Sequence, residues 1–183
     1  MRFFTPQLFV DLNSDDEAVV ERAEQQWEAA RKEYREHFRR IEERLPEALV
    51  RLCRMVSLHD SRVERSASPA WVVYESGQRA QRSQAIVSVR LEHADFNLFY
   101  LDPPEPTRLT RPVDCEVFHE ENVLWLYDEV YCLQGGIFSH EILFSNGKIL
   151  RVTFRDFWYI ERPIIDAPLS VGAIGGGGLG VGA

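Results

Sequence analysis

Along the first sixty positions apolar residues recur every three or four, and beyond position 70 they alternate with polar ones. The first pattern is one face of a helix and the second is one face of a strand. Thr5-Pro6 reads as a helix start, with threonine as cap and proline where its missing N–H costs nothing, and Leu8 and Phe9 as buried residues of a short helix through Leu12. Ser14-Asp15-Asp16-Glu17 reads as a capping box. Behind it Val20, Ala23, Trp27, Ala30, Tyr34, Phe38, Ile41 and Leu45 form one stripe, with Glu28–Lys32 and Glu36–Arg40 as supporting pairs on the outer face. About thirty residues at about 1.5 Å each would make a rod of roughly 45 Å. Pro46 should interrupt it and restart a second helix through Ala48, Leu49, Leu52, Cys53 and Val56.

Residues 1–60 are therefore expected to be helical, and 61–69 a connector. Strands are expected at Trp71–Tyr74, Ile86–Leu91, Phe96–Leu101, Val113–Phe118 and Val123–Tyr127, the last apolar on both faces and so placed centrally. Pro103, Pro104 and Pro106 mark a loop. Phe138, His140, Ile142 and Phe144 form one alternating row and Leu150, Val152 and Phe154 another. A two-residue Asn146-Gly147 turn would put the rows on opposite faces. A three-residue Ser145-Asn146-Gly147 loop pairs His140 with Val152 and Ile142 with Leu150, which puts both on one face, with glycine at the left-handed position. The fold class is α+β: a long N-terminal helix and shorter ones packed on an antiparallel sheet spanning 70–165, with 166–183 a flexible glycine-rich tail.

Composition narrows the partners. With 183 residues, 45% hydrophobic and 27% charged, the chain can bury a core without disulfides or metals. Its net charge of -8 gives no basic footprint for nucleic acid. No stretch suits a transmembrane helix, and Met1–Pro6 lack the apolar run of a secretory signal. Cys53, Cys115 and Cys132 have no metal spacing and suit a reducing cytosol.

Candidate chemistry is sparse. His37, His59, His93, His119 and His140 never fall at helical ligand spacing, and Glu116-x-x-His119 sits in a strand region, where residues three apart face opposite ways. His140 lies in an apolar row and reads as a core histidine. His59-Asp60 reads as a helix-terminal hydrogen-bonding pair or, in the catalytic alternative, as an acid/base pair. Cys53, on an apolar stripe, reads as an inert thiol. Gly175, Gly177 and Gly180 match a dinucleotide-binding spacing without its strand and helix. No catalytic motif is found, a non-enzymatic protein is favoured, and no cofactor or metal is expected. Asp102, Glu105, Asp114, Glu116, Glu120, Glu121, Asp128 and Glu129, against Arg108 and Arg111, make the 102–129 region acidic. It reads either as a solvated region or as the face of an immunity-type inhibitor for a basic protein. Trp71, Trp125 and Trp158 are expected in the core.

The tail is the most distinctive segment. Ala167 to Ala183 carries no charge, and seven of the eleven glycines fall in the final twelve positions, too many for a stable helix. Within it Leu169-Ser170-Val171-Gly172-Ala173-Ile174 spaces apolar residues with small ones, and Leu179-Gly180-Val181-Gly182-Ala183 partly repeats it. This core resembles the Leu-Thr-Val-Gly-Ser-Leu or Leu-Gly-Ile-Gly-Ser-Leu targeting peptides of encapsulin cargo proteins, without the basic residues that usually follow. The resemblance implies docking to the inner wall of a protein nanocompartment shell, with Leu169, Val171 and Ile174 filling pockets, Gly172 allowing close approach, and Leu179 and Val181 repeating the contact. A disordered end without a partner is the alternative. The body resembles bacterial proteins of unassigned chemistry with a Trp-Leu-Tyr-Asp-Glu-Val stretch, here Trp125–Val130. The combined expectation is a cytosolic bacterial protein carried to a larger assembly by its C-terminal peptide.

Overall fold

The computed structural model describes residues 1–75, 78–102, 108–110, 118 and 122–164, with only the backbone course given for 65–84 and 109. The chain is α+β. Helix α1 spans Pro6–Leu12, α2 Glu17–Ile41 and α3 Glu47–Met55. Strands follow as β1 Arg62–Glu75, β2 Gln78–Arg90, β3 Ala94–Leu101, β4 Arg108–Thr110, β5 Trp125–Cys132, β6 Phe138–Phe144, β7 Ile149–Phe154 and β8 Asp156–Pro163.

The helical half follows its apolar periodicity. Thr5 Oγ1 accepts the Leu8 N–H and Pro6 opens α1, with Leu8 buried and Phe9 half-buried. At α2 the cap is Asp16 rather than Ser14: Asp16 Oδ1 accepts the Ala18 N–H, while Ser14 Oγ accepts from Asp16. A carboxylate at the cap also opposes the positive end of the helix dipole, which a hydroxyl does not. Glu28 pairs with Arg31 at 2.9 Å rather than with Lys32. A short 3-10 turn over Glu42–Arg44 precedes Pro46, which sits just before α3 and lacks the N–H needed to continue the preceding helix.

The strands form two antiparallel four-stranded sheets, ordered β1-β2-β3-β8 and β4-β7-β6-β5. One core lies between them. Val87, Phe96, Leu98 and Tyr100 of the first sheet meet Trp125, Ile142, Val152 and Phe154 of the second, and Leu49 and Leu52 of α3 close it. A smaller cluster, Phe118, Leu126, Leu143 and Ile149, lies on the other face of the second sheet under Met1, Phe9 and Val10. The β6–β7 hairpin has the expected three-residue loop: His140 pairs with Val152, Ile142 with Leu150, and Gly147 takes φ +74°.

Three expectations are corrected. The connector at 61–69 is largely strand, because β1 starts at Arg62. There the Val63 N–H bonds the Val123 carbonyl at 2.9 Å, and Arg62 pairs with Arg90 of β2. Pairing partners outweigh the polar composition, and Pro69 falls in a register slip of this edge strand, where no N–H is needed. Strand β5 is not central but ends its sheet. Its free edge is covered by α2 instead: the Val130 N–H donates to Tyr34 Oη and the His37 Nε2–H donates to the Val130 carbonyl, both at 3.0 Å. Trp158 is 40% exposed, since neighbouring Phe157 takes the core side of β8. Its ring stacks on Phe99, the residue opposite on β3, with centroids 4.1 Å apart. The strand expected at Val113–Phe118 lies outside the described residues except for Phe118, which is buried.

Candidate functional site

Strand β5 holds the polar residues of greatest interest because it carries a bulge. Trp125 pairs with Phe144 and Tyr127 with Leu143, so Leu126 is an extra residue without a counterpart. The bulge changes which side chains share a face. Residues three apart in a regular strand point opposite ways, yet the Trp125 Nε1–H donates to Asp128 Oδ1 at 3.0 Å. Leu126 and Tyr127 go to the outer cluster, and Asp128 turns inward toward β6.

There it meets His140, which is 1% exposed. Asp128 Oδ2 lies 3.0 Å from Nε2, and a carboxylate only accepts, so Nε2 carries the proton. On its other side the ring meets the Tyr100 hydroxyl at 2.8 Å, with Nδ1 the acceptor in the singly protonated tautomer. Burial, then the charge of Asp128, hold the Tyr100 phenol well above its ordinary range, so it stays a donor. The result is a line of donors from buried Tyr100 through His140, ending on Asp128, which is 30% exposed. His140 is thus a core histidine with both nitrogens satisfied, as its place in an apolar row implied.

Asp128 opens into a cleft of about 1230 Å³ between α2, the end of α3 and β5. Its walls are Trp27, Tyr34 and Phe38 of α2, Leu52 and Val56 at α3, and Leu126 of β5. Cys53 also lines it; burial and then Asp128 push its thiol up, which disfavours the thiolate a nucleophile needs. Burial and Asp128 raise Tyr34 in the same way. His59 lies on the rim, with Nδ1 2.9 Å from Asp60 Oδ2 and its ring centroid 5.3 Å from that of Tyr127. The backbone at Asp60 takes φ +62° and its N–H bonds the Trp125 carbonyl; α3 already ends at Met55, so the His59-Asp60 pair is tied to β5 and not to the helix end it was expected to cap. His59 and His140 line one cleft, one half-exposed at its edge and the other in the core.

On the opposite face of β5, Glu129 is fully buried. Its Oε2 accepts the Arg2 N–H at 2.6 Å, and its Oε1 accepts the N–H groups of Phe3 at 2.7 Å and Phe4 at 2.6 Å. The Tyr131 hydroxyl also donates to it. Next along the sheet, Glu141 pairs with the Met1 ammonium and with Arg151 at 2.6 Å. Two carboxylates therefore fasten residues 1–4 across the sheet, and the Phe3 and Phe4 rings pack at a tilt against Tyr34 and Trp27.

These positions change the acidic 102–129 region. Glu129 is inside the protein and Asp128 faces the cleft, so neither belongs to an outward acidic surface. Glu105, Asp114, Glu116, Glu120 and Glu121, with Arg111, Cys115 and His119, lie outside the described residues. So do Leu169, Val171, Gly172, Ile174, Leu179 and Val181 of the tail, and the side chain of Trp71. Among the described residues no three histidine, cysteine or carboxylate side chains gather as a metal would require, and no helix is long and apolar enough to cross a membrane. Family models, curated proteins and solved structures, compared in turn with the chain, give no match.

Proposed function

We propose that this chain is a cytosolic bacterial protein whose α+β body is carried to a larger protein assembly, an encapsulin-type shell, by its C-terminal peptide. The observation that carries the reading is the uncharged segment from Ala167, with its apolar-small-apolar-glycine core at Leu169–Ile174 and the partial repeat at Leu179–Ala183. An extended peptide of this kind binds by seating alternate apolar side chains in pockets while glycine lets the backbones approach. The body offers it a suitable departure point. Strand β8 is the last strand of its sheet, its final residues Glu161–Ile164 are exposed, and the Ile164 N–H bonds the His93 carbonyl at 2.9 Å. A peptide that follows there starts beside solvent and not from inside the core.

The test compares full-length chain with a version ending at Asp166, each used to capture partners from its host. Recovery of a fast-sedimenting particle by the full-length chain alone supports the reading. Recovery of the same partner by both versions, or of none by either, overturns it.

A further inference from the structure

The cleft beside Asp128 has a charge arrangement that its own side chains leave incomplete. Its lining includes Glu24, Glu28, Glu42 and Asp128 against Arg31, Arg35, Arg39 and Arg54. Arg31 is taken by Glu28 and Arg54 by Glu42, at 2.9 and 2.5 Å, and Asp128 by His140 and Trp125. Glu24, about three turns before Arg35 on α2, has no ion pair among the described residues, and neither do Arg35 and Arg39. The two arginines stand one helical turn apart on the cleft side of α2, where two like charges at this spacing repel. Below them the wall is aromatic and aliphatic. At the mouth Met55 is 78% exposed, an apolar side chain left in water at the edge of an apolar recess.

We propose that this cleft binds an amphipathic carboxylate. The head group bridges Arg35 and Arg39, since guanidinium groups pair with carboxylates through two parallel N–H···O bonds. The acyl or aryl body runs inward along Trp27, Phe38, Leu52 and Val56, and Met55 closes over it. Direction follows from charge. Asp128 is the anionic end of the Tyr100–His140 line, so it repels an anionic head from the floor and leaves the arginine rim as the place for it. The volume exceeds the few hundred cubic ångströms that most small-molecule sites require, so a body of a dozen carbons fits without unfolding the helices. The proposal is independent of the tail.

Calorimetric titration of the full chain with dodecanoate and with 2-naphthoate tests it, against dodecyltrimethylammonium and the Arg35→Gln/Arg39→Gln double variant. Both arginines are exposed on α2, so the double variant keeps the fold, checked by its circular dichroism. The expected result is one saturable site for at least one carboxylate, weakened about tenfold or more in the double variant and not competed by the cationic amphiphile. Preference between the two carboxylates tells acyl from aryl bodies. Absence of saturable binding, equal binding by the double variant, or equal binding of the ammonium compound overturns the proposal.

Discussion

Replacing Glu129 by alanine tests how residues 1–4 are held. Four donors converge on this fully buried carboxylate: the N–H groups of Arg2, Phe3 and Phe4 and the Tyr131 hydroxyl. If the arm stayed in place, the two buried donors, the N–H groups of Phe3 and Phe4, would cost about 1–3 kcal/mol each, and the part-buried Tyr131 hydroxyl and Arg2 N–H, which also reaches Tyr131 Oη, would cost less. The protein has a cheaper alternative. Releasing the arm returns the amides to water and exposes Phe3 and Phe4, at about 1.5–3 kcal/mol per ring, offset by about 1–2 kcal/mol of backbone freedom per released residue. Two rings cost about 3–6 kcal/mol and four freed residues return about 4–8 kcal/mol, so release wins and caps the loss at about 2 kcal/mol or less. Glu129→Gln keeps the shape and one acceptor oxygen for Phe3 and Phe4, but sets an amide donor against the Arg2 N–H. It should cost about 1–2 kcal/mol with the arm still docked. Urea unfolding gives both magnitudes, and amide hydrogen exchange at Phe3 and Phe4 reports the arm. An alanine variant within about 0.5 kcal/mol of wild type, with those amides still protected, would refute the claim that the carboxylate holds the arm.

Other expectations follow from the same geometry. Gly147→Ala should cost about 1–3 kcal/mol in urea unfolding, because φ is +74° and the new Cβ would stand 2.8 Å from the Phe118 ring; a neutral result removes the close approach. Tyr100→Phe should cost about 1–3 kcal/mol at neutral pH by leaving His140 Nδ1 without its donor. Burial raises the folded pKa of Tyr100 and Tyr34, so the stability they contribute is complete below the unfolded value of about 10 and is lost as pH rises above it. Tyrosine absorbance should accordingly report late ionisation that coincides with unfolding, and the Tyr100→Phe variant should show a shallower alkaline limb than wild type. Asp95 is the opposite case: its hydrogen bond to Arg90 lowers its folded pKa, so its contribution is present above about pH 4 and lost as pH falls through the folded value. Asp95→Asn should flatten the acid limb of stability between about pH 5 and 2, and an unchanged limb counts against the pair.

Much of the framework was legible because it depends on local periodicity. Ala23, Ile41 and Leu45 are buried as their spacing implied, Thr5-Pro6 starts a helix, and the three-residue loop at Ser145–Gly147 sets the β6–β7 register. In that hairpin a one-residue slip would have sent His140 and Ile142 to the other face, so turn chemistry and hydrophobic rows had to agree. The site was less legible. Asp128 and Glu129 sit side by side at the end of an acid-rich region and look like surface charge. One closes a hydrogen-bond line from Tyr100, and the other lies buried under the chain's first residues. No local signal separates them, because their partners come from positions 100 and 140 in one case and 2–4 in the other.

Local sequence thus determined the helices, most of the strands, the hairpin register and the α+β class, each readable over a window of ten or so residues. Tertiary structure decided which strand lies at an edge, because that depends on Tyr34 and His37 reaching Val130 from nearly a hundred residues away. It also decided that a bulge at Leu126 aligns Trp125 with Asp128, against the two-residue rhythm of a regular strand. Burying a charge is tolerable only where donors converge on it, and convergence is a property of the folded chain.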